Sequence, residues 1–176
     1  MNPLLPTSAR TITTPASRPS YRCDLALIEQ NFPAELIATK AWCLWRYLWR
    51  DSANGTPGKW TKVPYQPCGA LGKSNDRSTW SAFEEVKAAY CPGRYSGVGF
   101  YLFPPLVGVD FDKVREPQTG VIEPWAQDII TSLNSYTEVS PSGTGVHVWT
   151  TGQLSDEARI RSSLQKIRNW ITAMRG

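Results

Sequence analysis

The sequence predicts an α+β fold: a mostly antiparallel sheet at the core, with helices packed on one side of it. Three observations carry this prediction. Strand-like and helix-like runs follow one another in the order β-β-α-β-β. The dipeptides Asn54-Gly55 and Pro57-Gly58 turn one strand-like run directly back into the next. Ile160, Leu164, Ile167, Ile171 and Met174 recur at steps of 4, 3, 4 and 3, which is one apolar stripe of a C-terminal amphipathic helix.

Taken in order, residues 1–22 are rich in Pro, Ser and Thr and read as a disordered tail. Asp24 is placed to cap a short helix running through Gln30, and Pro33 to open a helical turn over residues 34–39. Residues 41–50 are dense in Trp, Leu and Tyr and read as a strand, and residues 60–65 as its return partner. Ser78 is expected to cap a helix over 79–90, with Trp80, Phe83 and Val86 facing inward and Cys91-Pro92-Gly93 ending it. Residues 97–103 and 106–112 are expected to pair as antiparallel mates around Pro104-Pro105. Pro124 opens a helix to about Asn134, and residues 135–139 and 146–151 form a last strand pair. The organisation expected is a tail over 1–22, a core over 23–154 and the amphipathic helix over 155–176. In that helix Asp156 and Glu157 suit the first turn and Arg175 the last.

A chain of 176 residues suits one domain with a sizeable core, and 41% apolar composition is ordinary for a globular protein. The formal net charge of +4 leans towards a polyanionic partner. The four cysteines, Cys23, Cys43, Cys68 and Cys91, form no Cys-x-x-Cys pair. With a single histidine they complete no zinc-finger pattern. Free thiols in a reducing cytoplasm are the expectation, with no membrane-spanning stretch.

Two runs carry the chemistry. In residues 106–112, Leu-Val-Gly-Val-Asp-Phe-Asp, an apolar strand ends in two carboxylates. Residues i and i+2 of a strand share a face, so Asp110 and Asp112 project together with Phe111 turned away. Two ionised carboxylates so close repel unless a cation lies between them, and a hard divalent ion, Mg²⁺ or Mn²⁺, suits oxygen ligands. In residues 140–148, Ser-Pro-Ser-Gly-Thr-Gly-Val-His-Val, a glycine-containing loop enters a strand bearing the only histidine. Gly143 and Gly145 free the backbone to turn and present N–H groups to phosphate, and Ser142 and Thr144 add hydroxyls. The bland alternatives are solvated strand-end acids, a plain hairpin turn and a satisfied core histidine.

Together these runs resemble the archaeo-eukaryotic primase superfamily, and more closely the bifunctional primase-polymerase domains of phage and plasmid replication proteins. A third match is Lys59-Trp60-Thr61-Lys62-Val63-Pro64-Tyr65, followed by residues 78–83, Ser-Thr-Trp-Ser-Ala-Phe. The resemblance covers roughly residues 36–153. It implies an RRM-like antiparallel core joined to a small N-terminal α/β unit. It also implies a nucleotidyltransferase in which Asp110 and Asp112 hold Mg²⁺ or Mn²⁺ and His147 contacts the incoming triphosphate. Lys62, Ser142, Gly143, Thr144 and Gly145 would approach that nucleotide. The implied partners are dNTP or NTP and a single-stranded or primed DNA template. A replicative helicase is a further implied partner, because many such proteins carry a helicase module after this one.

The family's third acidic residue, on a later strand, has no clear counterpart. Only Asp156 and Glu157 follow His147, and they fall in a helical pattern. Glu138 is a candidate substitute, with support of the loop geometry as its expected role. Two alternatives therefore stand beside the primase-polymerase: a catalytically inactive nucleotide- or single-strand-binding remnant, and an Asp-x-Asp glycosyltransferase.

Overall fold

A computed structural model describes residues 17–51 and 57–152. The expected C-terminal helix, with Asp156 and Glu157, lies outside the described residues, as do the first sixteen residues of the tail. The fold is α+β, built on two three-stranded antiparallel sheets. The first sheet has the order β2-β1-β3, from Lys59–Tyr65, Trp42–Arg50 and Gly97–Phe100. The second has the order β4-β6-β5, from Leu106–Phe111, Val146–Thr151 and Tyr136–Val139.

Helix α1, Leu25–Asn31, starts where expected because Asp24 accepts a hydrogen bond from the Leu27 N–H at 3.1 Å. A single helical turn, α2 (Ala34–Ile37), follows Pro33. Helix α3 begins later than the sequence suggests. Asp76, not Ser78, caps a short 3₁₀ turn over Arg77–Thr79. Trp80 then runs extended and Ser81 bridges to Trp42 of β1, so α3 spans only Phe83–Ala89. The Glu85 carboxylate reaches back to the Ala82 N–H at 2.7 Å, one half of a capping box. Helix α4, Pro124–Leu133, has proline in its first turn and ends on Asn134 in the left-handed conformation, which asparagine tolerates.

Strands β3 and β4 do not pair with each other, contrary to the sequence expectation. β3 pairs with β1 and β4 with β6. Pro104 and Pro105 between them have no N–H to donate, so the ladder cannot continue through that connection. The chain instead crosses from one sheet to the other.

Each sheet buries one face on a helix. Trp42, Leu44 and Val63 meet Phe83 and Val86 of α3. Val109, Phe111, Val146 and Val148 meet Ala126 and Ile129 of α4. The other face of the second sheet meets the first through four rings. Phe32 lies 5.0 Å from Trp149 and 4.9 Å from Tyr136, and Phe100 lies 5.2 Å from Trp149. Residues 17–23 carry no regular structure, yet Tyr21 packs on Trp45 with ring centroids 5.4 Å apart. Gly97 makes room for this: a Cβ there would lie 2.9 Å from Tyr21 and 3.0 Å from Trp45. No helix among the described residues is long and apolar enough to cross a membrane.

Cys43 is buried, and burial pushes its thiol from 9.0 up to about 11. Because the folded value is raised, the stabilisation is complete below pH 9 and is lost as the pH rises through 11. Between pH 8 and 12 the parent chain is expected to lose about 2–3 kcal/mol more stability than Cys43→Ala. Urea melts at the two pH values measure this difference.

Candidate functional site

Sheet register builds the site. Asp110 of β4 pairs with His147 of β6, and His147 pairs in turn with Glu138 of β5. Directly opposed residues share a face, so an acid, the histidine and a second acid stand in one row across three strands. This row is one step along from the Trp149 and Tyr136 rings that join the sheets. The opposite face, with Val109, Val146 and Val148, is sealed by α4.

Hydrogen bonding ties the histidine to one of the two acids. His147 Nδ1 lies 3.0 Å from Glu138 Oε1. A carboxylate can only accept, so Nδ1 donates its proton there and the ring is fixed with Nε2 towards Asp110. His147 Nε2 is 3.6 Å from Asp110 Oδ1, outside hydrogen-bond reach and inside ion-pair range. The other Glu138 oxygen accepts from the Tyr136 hydroxyl at 3.2 Å. Glu138 therefore orients the histidine and does not brace the loop, the role the sequence suggested for it.

The loop is braced from elsewhere. Ser140 O accepts from Gly143 N–H at 2.8 Å, and Ser140 Oγ accepts from Gly145 N–H at 3.1 Å. Thr144 N–H points to Ser142 Oγ at 3.4 Å. Three of the amides expected to face phosphate are thus engaged within the turn. The Ser142 N–H makes no hydrogen bond among the described residues, and Ser142 and Thr144 share a hydroxyl contact of 3.0 Å at the surface. Arg115, which the sequence did not single out, donates through Nη1 to Gly143 O at 2.9 Å. Its own N–H donates to Thr144 O, also at 2.9 Å. The two loop glycines serve different ends. Gly143 has φ +75, with open space where a Cβ would point. A Cβ on Gly145 would lie 2.7 Å from Phe111 O, at the end of the strand that leads to Asp112.

Asp112 follows the last residue of β4 and is exposed, as is Asp110. Among the described residues no group of three or more His, Cys, Asp or Glu side chains is gathered to hold a metal ion. Lys62 reaches towards the row from the first sheet. It is exposed as a residue, but its ammonium lies 5.6 Å from the Trp45 ring centroid. Desolvation there lowers its pKa, and Asp110, Glu138 and Asp112 act in the opposite direction. None of these carboxylates comes within ion-pair distance of Lys62 among the described residues. One cation of the first sheet thus stands within electrostatic reach of three acids of the second.

The two glycines give a direct check on this geometry. Gly143→Ala is expected to cost about 1–2 kcal/mol, the strain of a left-handed alanine, and to leave the row in place. Gly145→Ala is expected to cost more, because backbone must move, and to shift the Asp110 and His147 amide resonances. Thermal melts and amide spectra of the two variants measure both effects.

No family model matches the chain. The chain is similar to the "DNA Primase-polymerase" of Nitratiruptor phage NrS-1, with 37% identity over 99 residues. That match covers 54% of this chain and 14% of the phage protein, so the chain corresponds to a small part of its length.

Proposed function

We propose that this chain is the nucleotide-binding core of a DNA primase-polymerase, synthesising or extending primers in phage or plasmid replication. The observation that carries the proposal is the Asp110-His147-Glu138 row, with Lys62 of the first sheet acted on by its acids and in no ion pair among the described residues. The similarity to a phage primase-polymerase supports the same reading.

Asp110 and Asp112 are the residues that would hold Mg²⁺ or Mn²⁺. Two strand-end carboxylates fit an ion that keeps much of its water and shares phosphate oxygens, rather than one caged by protein. When bound, the ion supplies charge neutralisation to the triphosphate and its attacking and leaving oxygens. Lys62 would meet the triphosphate as a point charge from the opposite sheet. His147, as the imidazolium with Nδ1–H held by Glu138, would donate Nε2–H to a phosphate oxygen. Ser142 and Thr144 would donate hydroxyl hydrogen bonds, and Ser142 its N–H. A 3′-hydroxyl would then displace pyrophosphate from the α-phosphate. The contribution of the residues is mainly positioning and electrostatics.

A second reading, a nucleotide- or single-strand-binding module without catalysis, is favoured by one observation. Among the described residues no third carboxylate is gathered with Asp110 and Asp112 to hold a metal ion, Glu138 being engaged by His147 and Tyr136. Incorporation of labelled dNTP into a primed template with Mn²⁺ separates the two. A polymerase incorporates, and Asp110→Asn abolishes incorporation; a binding module does neither, although it binds dNTP.

Within either reading His147→Ala is expected to raise the dissociation constant for dNTP roughly ten- to a hundredfold, the loss of about 1.5–3 kcal/mol from a charge-assisted hydrogen bond. Mn²⁺ affinity without nucleotide should change little. Calorimetric titrations with Mn²⁺ alone and with Mn²⁺ plus dTTP measure both quantities, and equal loss in the two would assign the histidine to the metal.

A further inference from the structure

A concave surface formed by other residues takes no part in the chemistry above. It is a cleft of about 510 Å³ between residues 18–23 and residues 90–96. Arg18 and Arg22 line one wall, with Tyr21 between them, and Tyr90 and Tyr95 line the other. No Asp or Glu lines it. Both arginines are exposed, and neither has a carboxylate within ion-pair distance among the described residues.

The cleft is joined to the site by shared rings. Tyr21 lies 5.4 Å from Trp45, and Trp45 lies 5.0 Å from Tyr47, which gives a short ladder of rings. Trp45 is also the ring beneath the Lys62 ammonium. That ammonium is the one on which Asp110 and Glu138 act from the second sheet. Glu138 also helps raise the pKa of Tyr21 to about 12, behind the larger effects of burial and Cys23. Cations that carry no acid, spaced by aromatic rings, suit a polymer with alternating phosphates and flat bases. A folded protein partner would need apolar surface to bury, and this cleft is mostly tyrosine, arginine, serine and proline.

We propose that this cleft binds single-stranded DNA and leads the strand past Tyr21 and Trp45 to the Asp110-His147-Glu138 row. The proposal rests on the primase-polymerase reading for the nature of the polymer. The arginines neutralise phosphates and the half-buried Tyr21 and Tyr90 offer ring edges or faces to bases, while Tyr95 is buried behind them. Gly97 is part of the device, because only a residue without a Cβ lets Tyr21 lie on Trp45 over β3.

The test uses the full chain and a fluorescein-labelled 12-mer of oligo(dT), read by anisotropy over a salt series. Arg18→Ala with Arg22→Ala is expected to weaken oligo(dT) about ten- to thirtyfold, and to reduce the slope of log K against log salt by about 1.4, the loss of two phosphate contacts. Lys40→Ala with Lys73→Ala removes the same charge from exposed positions outside the cleft and is expected to change affinity less than threefold. Affinity for dTTP with Mn²⁺ should be the same in all three proteins. Equal weakening in the two double variants, or none in either, overturns the cleft and leaves the proposed function standing. Loss of dTTP affinity with unchanged oligo(dT) binding also overturns it, by making the cleft a nucleotide site. A parent chain that binds no oligo(dT) overturns both the cleft and the polymer reading on which it rests.

Discussion

The site depends on the aromatic seam between the two sheets. Phe32, Phe100, Tyr136 and Trp149 come from a helix end and three strands, and their ring contacts of 4.9–5.6 Å bridge one sheet to the other. Each such pair is worth about 0.5–1.5 kcal/mol beyond the area it buries. Lys62 belongs to the first sheet, and the acids it faces belong to the second. Without the seam there is no fixed distance between them. Trp149 and His147 stand two residues apart on β6, so the seam that joins the sheets also sets the depth of the row.

Charge at the site is arranged and left incomplete. Glu138 is satisfied by His147 and Tyr136. Asp110 has only the 3.6 Å approach of His147, and Lys62 has no ion pair among the described residues. A structural salt-bridge network would close these gaps, because a partly desolvated ammonium is costly without a partner. An arrangement held open by two sheets is suited to a ligand that carries both charges, an anion bearing its own cation. A metal-bound nucleotide, the ligand proposed above, has that character.

Much of this was legible in the sequence. Alternation turned Asp110 away from Phe111 and His147 away from Val146 and Val148, and Asp24, Pro33 and Pro124 marked helix starts by local rules. What could not be read was register. Glu138 is the partner of His147 because β5 and β6 pair with those two residues opposed, and nothing local to Glu138 says so. Arg115 acts on Gly143 across 28 positions of chain, which is equally invisible. The pairing of β3 with β1 was missed because neighbouring strands usually pair and the two prolines were read as an ordinary turn. Ser78 was read as a helix cap because it precedes an apolar run. Asp76, two residues earlier, takes that role and the helix starts further on. The loop glycines were read as freeing amides for phosphate, whereas the turn they permit engages three of those amides itself.

The central claim is that His147, held by Glu138, meets the nucleotide. The chain contains a single histidine, so imidazole ¹⁵N labelling gives one pair of ring-nitrogen signals. Titration with Mg²⁺ alone and then with Mg²⁺ and dTTP tests the claim directly. The account predicts that Mg²⁺ alone leaves both signals near their starting positions. Addition of dTTP should then move the Nε2 signal, while Nδ1 stays at the position of a nitrogen donating to a carboxylate. An Nε2 signal unmoved at saturating dTTP, or a response to Mg²⁺ alone as large as the response to nucleotide, would contradict it.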